Sequence, residues 1–400
     1  MNGVWNFFTC GQLVFGPGAV EQLPDRIQGR WRKVAIISDA NLERVGIVER
    51  VVESLRRGGI ESHVFTGGQA EPEIAVADEA LQAARDYGPD AVLGLGGGSN
   101  MDVAKFVATA LQHGGQPRDY FGIFRVPGPV FPLICVPTTS GTGSEVSHAA
   151  VLTDVEQQIK ISCLSNHLRP LLAVVDPSLT YDCPRQVMAD SGIDALTHAV
   201  EAITAVDHDR LQIPDGEQNP YEGRFPLGEC LGEKAIELIG QHLVAAVNDP
   251  ADKGARDAMS LASTLAGMAF SNCGVALVHA MEYPLGAILH CSHGAGNGLL
   301  LPFVMQFNLP ERIPTMARIA KLLGVVVDGL SDEQAAQRGI DAIHQLKQDI
   351  GIPITIRDLG GDPSQIPLFA QKAHAIQRLM WFNPRQPSLE DIAEIYRQAF

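Results

Sequence analysis

Asp90–Leu111 reads DAVLGLGGGSNMDVAKFVATAL. Its opening, DAVLGL, is a short apolar run of the length expected for one buried strand. Glycines interrupt it at once, and DVAKFVATAL then places apolar residues at helical spacing. A strand that passes through glycines into a helix is half of a parallel βαβ unit. The first turn of such a helix presents free N–H groups and the positive end of its dipole, and both attract phosphate. Glycines also let the backbone approach an anion closely. The run, Gly94–Asp102 (GLGGGSNMD), is not G-x-G-x-x-G followed by a ribose acid in the usual register. A purely steric strand–helix turn is therefore its alternative reading.

Outward from this stretch the same alternation continues. Lys33–Ser38 (KVAIIS), Glu61–Phe65 (ESHVF) and Leu133–Val136 (LICV) are strand-like, and Val45–Arg57 and Ile74–Tyr87 carry helical periodicity. The pattern predicts a parallel sheet with helices on both faces. Pro137–Glu145 (PTTSGTGSE) follows a strand directly and offers hydroxyl and backbone donors to a nucleotide; a solvated loop with capping hydroxyls is the alternative. Asp39 ends the KVAIIS strand. There it suits a ribose diol and repels a 2′-phosphate, which favours NAD over NADP, or it caps the helix that follows.

From about Arg185 onward the signals are mostly helical: Arg185–Ala205, Gly228–Val247, Ala251–Phe270, Val275–Ile288, Ile313–Leu323, Asp332–Ile350 and a last helix from Ser388. The chain has 400 residues, enough for two domains, and Asp176–Pro184 (DPSLTYDCP) punctuates it. The expected division is 1–182 and 183–400. Asp207–Pro226 is rich in Pro, Gly and Asp, and so long a loop in a helical domain is as a rule functional or mobile.

Thirty basic against 46 acidic side chains give a net charge of −16, with no basic cluster, which argues against nucleic acid as a partner. Seven scattered cysteines without C-x-x-C fit a reducing cytosol rather than a disulfide framework. The first residues lack the basic and apolar regions of a signal peptide, and no apolar run is flanked as a membrane span would be. A cytoplasmic protein is expected. Charged residues make up 19% of the chain, which suits a subunit interface.

Asp190–Thr204 (DSGIDALTHAVEAIT) places Asp194 and His198 four residues apart, on one face of a helix. His279 lies in GVALVHAMEYPLG and His293 in LHCSHGAGNG. If those segments pack beside the first helix, one carboxylate oxygen and three imidazole nitrogens converge, a set that suits Zn²⁺ or Fe²⁺. The competing readings are a hydrogen-bonded surface pair, a satisfied core histidine at His279 and a helix break at the glycines after His293. The remaining histidines (His63, His113, His148, His167, His208, His242, His344 and His374) read as surface or structural.

Four segments, GLGGGSNMDVAK, VPTTSGTGSEVS, DSGIDALTHAVEA and VHAMEYPLGAILHCSHGAGNGLLLP, resemble in content and order the iron-containing (group III) alcohol dehydrogenase family, and the similarity runs along essentially the whole chain. The resemblance implies an α/β, Rossmann-like dinucleotide-binding domain, an all-α C-terminal domain of the dehydroquinate synthase-like arrangement, and a cleft between them. It implies that Asp194, His198, His279 and His293 hold the metal. It places Gly96, Gly97, Gly98, Ser99 and Asp102 along the cofactor, with Thr138, Thr139, Ser140 and Thr142 nearby, and makes Asp39 the residue that favours NAD.

The implied cofactors are NAD(H) and Fe²⁺, with Zn²⁺ also accepted by the donor set. The implied partner is a small alcohol or aldehyde, and the implied assembly is a homodimer or larger. One departure is Tyr283, where many members carry a proton-moving histidine; Tyr283 or His290 then becomes the candidate for that role. The other is the Asp207–Pro226 segment. Together they resemble the hydroxyacid–oxoacid transhydrogenase branch and make a hydroxy acid such as 4-hydroxybutyrate the second substrate class. A metal-dependent hydrolase is the remoter alternative. Sugar-phosphate cyclases would need basic residues near the ligands, and maleylacetate reductases would not need four intact ligands.

Overall fold

The computed structural model describes residues 3–156 and 159–400. Two compact units make up the chain: Phe8–Cys183, and Pro184–Phe400 together with the N-terminal segment up to Phe7.

The first unit contains strands β1 (Gln12–Phe15), β2 (Lys33–Ile37), β3 (Glu61–Phe65), β4 (Ala91–Gly96), β5 (Gly122–Ile123), β6 (Leu133–Pro137), β7 (Ala149–Asp154), β8 (Ile159–Leu164) and β9 (Leu172–Val175). Its helices are α1 (Leu23–Ile27), α2 (Ala40–Arg44), α3 (Ile47–Arg57), α4 (Ile74–Tyr87) and α5 (Gly98–His113). Six strands form a sheet in the order β1-β9-β6-β4-β2-β3, every pair parallel. Side chains alternate across it. Val34 and Ile36 pack with Val51 and Leu55 of α3 on one face, while Ala35 and Ile37 pack with Leu81 of α4 and Phe106 of α5 on the other.

The chain leaves β2 for β3 on one side and returns to β4 on the other. The carboxyl ends of β2 and β4 therefore flank a topological switch point, where open α/β sheets bind ligands. Asp39 and Gly97 follow those two ends.

The expected alternation missed the short edge and core strands β1 and β9. It also missed the small second sheet, in which β8 pairs antiparallel with β7 and parallel with β5. LAVV at β9 is only four residues long, too short to display a period.

The second unit is all helical: α6 (Arg185–Thr204), α7 (Pro226–Asn248), α8 (Lys253–Cys273), α9 (Leu277–Leu289), α10 (His293–Leu322), α11 (Asp332–Ile350), α12 (Ile366–His374), α13 (Gln377–Met380) and α14 (Leu389–Gln398). One competing reading is overturned here. The glycines after His293 do not break a helix; they lie inside α10, which starts at His293 and bends at Arg312 (φ −138°). Their role is packing. A Cβ on Gly294 would lie 2.0 Å from the Asp190 carbonyl oxygen, and one on Gly298 would lie 2.6 Å from Ile193. Glycine is what lets α10 lie against α6.

The Asp207–Pro226 segment is anchored at both ends. Asp207 and Arg224 form a bridge, and the Arg224 guanidinium donates to the Asp207 carboxylate at 2.7 Å. Phe225 stacks on Trp5 at 4.7 Å, and buried Tyr221 meets Phe382 edge-on at 5.3 Å. Among the described residues, no single helix is long and apolar enough to cross a membrane.

Candidate metal centre and nucleotide turn

α6, α9 and the start of α10 bring the four proposed ligands together. The ligand atoms of Asp194, His198 and His279 all lie within 4.8 Å of one another, and these three side chains are buried. His293, the first residue of α10, is partly exposed and places Nε2 3.9 Å from Asp194 Oδ1. The His198 ring stacks on Phe270 at 4.1 Å and faces His279 at 4.9 Å.

Two buried carboxylates orient the imidazoles. Glu201 Oε2 accepts from His279 Nδ1 at 2.6 Å and from the Ala276 N–H, while its Oε1 accepts from the Val278 N–H. Glu282 Oε2 accepts from His293 Nδ1 at 2.5 Å. An ionised carboxylate can only accept, so each Nδ1 carries the proton and each Nε2 turns a lone pair toward Asp194. Asn297 completes the cluster. Its Nδ2 lies 2.8 Å from Asp194 Oδ1, 3.1 Å from His293 Nε2 and 3.3 Å from His279 Nε2. Its own Oδ1 is buried without a partner.

The charge states of Asp194 and His198 match the geometry. Burial raises the Asp194 carboxyl's pKa, but His198, His293, His279 and the Asn297 amide outweigh it and hold the group below its ordinary value. Burial, with His279 and His293 adding to it, pushes His198 down to about 4. An ionised carboxylate and neutral imidazoles are the forms that bind a divalent ion. The Asp194 carboxylate with the imidazoles of His198 and His279, and with His293 Nε2 beside Asp194, is a donor set that fits Fe²⁺ or Zn²⁺.

Glu201, Glu282 and Asn297 were not among the residues singled out from the sequence. A signal existed: each follows a proposed ligand (His198, His279 and His293) by three or four residues, the spacing that shares a helix face.

The two proton-relay candidates differ in exposure. Tyr283 is partly buried on α9, its ring 6.1 Å from that of His293. His290 is exposed and caps the C-terminus of α9 in the left-handed region (φ 54°).

In the first unit the glycine turn and the hydroxyl loop lie side by side. β4 and β6 pair through Gly96 and Pro137, and the Thr138 N–H donates to the Gly96 carbonyl at 3.0 Å. Gly96 has φ +144°, and a Cβ there would lie 2.2 Å from Asn100 Nδ2. Gly97 is the N-cap of α5, and Gly98 opens the helix so close to Thr142 that a Cβ would meet its methyl at 2.8 Å. Thr139 lies beside Gly97, Ser99 is half-buried in the first turn, and Thr138 and Ser140 are buried.

Asp39 follows β2. Its Oδ1 caps α2 through Asn41 and Leu42, and its Oδ2 accepts from Asn100 at 2.7 Å. Asp102 is held by internal partners: Ser144 Oγ donates to it at 2.7 Å and the Val151 N–H at 3.0 Å.

A glycine turn at a switch point and a buried carboxylate–imidazole cluster in one chain suit a metal-dependent, dinucleotide-using oxidoreductase. Comparison with known proteins makes this specific. Residues 10–177 match the model of iron-containing alcohol dehydrogenases, and residues 221–400 match the C-terminal model of the Fe-containing alcohol dehydrogenase family. The NAD-dependent methanol dehydrogenase of Bacillus methanolicus is 34% identical over 395 residues, 98% of this chain and 99% of that one. The lactaldehyde reductase of Escherichia coli (strain K12) is 34% identical over 389 residues, 96% and 97% of the two chains. A crystal structure of 1,3-propanediol oxidoreductase is similar with a TM-score of 0.93 and 34% identity, covering 100% of both chains. The chain belongs to the iron-containing alcohol dehydrogenase family. It is an oxidoreductase, and the hydrolase alternative is set aside.

Proposed function

We propose that this enzyme interconverts a primary alcohol and its aldehyde with NAD(H), residues 1–182 binding the dinucleotide and 183–400 the metal. Asp194, His198, His279 and His293 would hold one Fe²⁺. When bound, the ion supplies polarisation of the substrate oxygen and the nicotinamide supplies the hydride chemistry. The observation that carries the reading is the convergence of the Asp194, His198 and His279 ligand atoms within 4.8 Å of one another.

The chain's own residues do the rest. Glu201 and Glu282 fix two imidazoles in the tautomer that coordinates. Gly97, Gly98 and Ser99 offer the α5 N-terminus to the pyrophosphate, and Thr138, Thr139, Ser140 and Thr142 flank it. Asp39 keeps the ribose site unfavourable to a 2′-phosphate. Tyr283, partly buried beside His293, moves the alcohol proton through its hydroxyl; His290, out on the helix cap, is the lesser candidate.

Relatives of similar length are named for methanol, lactaldehyde and 1,3-propanediol. These names favour a small primary alcohol or diol. The test is NAD⁺ reduction by the iron-loaded protein with primary alcohols, diols and 4-hydroxybutyrate. Turnover confined to the hydroxy acid would overturn the assignment.

We infer a cytoplasmic homodimer or larger. β1 closes one edge of the sheet with Leu13 and Phe15 36% and 38% exposed, an apolar edge that a second copy would cover. Sedimentation of wild type and Leu13→Lys checks this; a monomeric wild type would contradict it.

A further inference from the structure

Lys105 is fully buried in α5, and its ammonium reaches four oxygens of one neighbouring segment. They are Ala149 O at 2.7 Å, Ser144 Oγ at 2.8 Å, Ser147 Oγ at 3.2 Å and Ser147 O at 3.3 Å. Asp102, one turn earlier, lies 3.9 Å from the ammonium. It accepts from Ser144 Oγ at 2.7 Å and from the Val151 N–H at 3.0 Å. Ser144 therefore accepts from Lys105 and donates to Asp102. Every group these two side chains hold lies between Ser144 and Val151, the stretch that continues directly from Thr138–Thr142.

α5 thus serves both loops. Its N-terminus is the glycine turn, with Gly98 against Thr142. Its next turns grip the chain just beyond the hydroxyl loop. A buried ammonium is costly unless fully hydrogen-bonded, and an apolar side chain would fill the same volume without that cost. The cost is explained if the charge holds something in register.

We propose that Lys105 is a positioning residue for cofactor binding: with Asp102 it latches Ser144–Ala149 onto α5 and so fixes Thr138–Thr142 beside the glycine turn. The proposal rests on the reading of those two loops as the dinucleotide site. It assigns Asp102 to the latch rather than to direct contact with the cofactor.

The test is NADH titration, followed by fluorescence, of the metal-loaded wild type, Lys105→Met, Ser144→Ala and Gly98→Val. Amide hydrogen exchange over residues 138–143 is measured without nucleotide. Lys105→Met should weaken NADH binding about tenfold and Ser144→Ala about threefold, the scale of one or two lost hydrogen bonds. Residues 138–143 should exchange faster in both, while metal content stays at the wild-type level, because the proposed ligands lie in the other unit. KM for NAD⁺ should rise more than kcat falls. Wild-type NADH affinity and wild-type exchange in Lys105→Met would overturn the proposal, whatever its melting temperature. Should that variant fail to fold, Ser144→Ala decides by the same two readouts. Gly98→Val separates the premise from the latch: unchanged NADH affinity there overturns the cofactor-site reading, while exchange in Lys105→Met still reports the latch.

Discussion

Asp39 is a helix cap, one of the two roles that its position after a strand suggested; its part in cofactor choice belongs to the proposed function. Its Oδ1 caps α2, and its Oδ2 takes an N–H of buried Asn100. Its carboxylate still follows the end of β2 at the switch point. Asp39→Gly should improve NADP⁺ use relative to NAD⁺, and Asp39→Asn should do the same while keeping the cap, because Asn caps as well as Asp. The ratio of kcat/KM for the two cofactors checks this, and an unchanged ratio in both variants would reduce Asp39 to a cap. At this scale Asp194 and His198 were legible because a four-residue spacing fixes a common helix face. Glu201, Glu282 and Asn297 share a helix face with a proposed ligand in the same way, but that spacing does not show which imidazole each holds: Glu201 takes His279 and Glu282 takes His293. They act through packing between helices far apart in sequence, such as the 78 residues between Glu201 and His279.

α10 shows where local signals fail. Gly and Pro depress helix propensity, so HGAGNGLLLP reads as a break. Tertiary packing overrides that preference, because only glycine allows the approach to α6. Gly294→Ala would set a Cβ 2.0 Å from the Asp190 carbonyl oxygen, forcing α10 and its His293 away from Asp194. The variant should lose about 1–3 kcal/mol, as overpacked cores do, and bind iron more weakly. Denaturant melts of the metal-free protein and chelator competition measure the two effects. Wild-type values for both would show that the helix tolerates the methyl group. The parallel strands β2, β4 and β6, by contrast, were legible, because strands buried on both faces form continuous apolar runs.

Across the whole molecule, the helical character after Arg185 and the α/β character before it both followed from periodicity. The energetic exceptions inside the helical unit did not. Lys347 is fully buried, its ammonium donating to the Leu299 carbonyl at 2.9 Å, and burial pushes its pKa down to about 8. In the unfolded chain the same group titrates near 10.4. Between those values the unfolded state binds more protons, so this group's contribution to stability rises with pH over that window. Below it the buried charge opposes folding, by about 3 kcal/mol at most on the size of the shift. Lys347→Met should therefore be more stable than wild type at pH 7, with the gain fading as pH approaches 10.5. Equal melting temperatures at pH 7 would contradict this.

The central claim is that Asp194, His198, His279 and His293 form one catalytic iron site. It is tested most directly by metal analysis of wild type and His279→Ala, with alcohol-dependent NAD⁺ reduction and NADH titration on the same samples. Wild type should carry stoichiometric metal, whereas His279→Ala should lose both the metal and turnover but keep near-wild-type NADH affinity. A metal-free His279→Ala that still turns over would contradict the account.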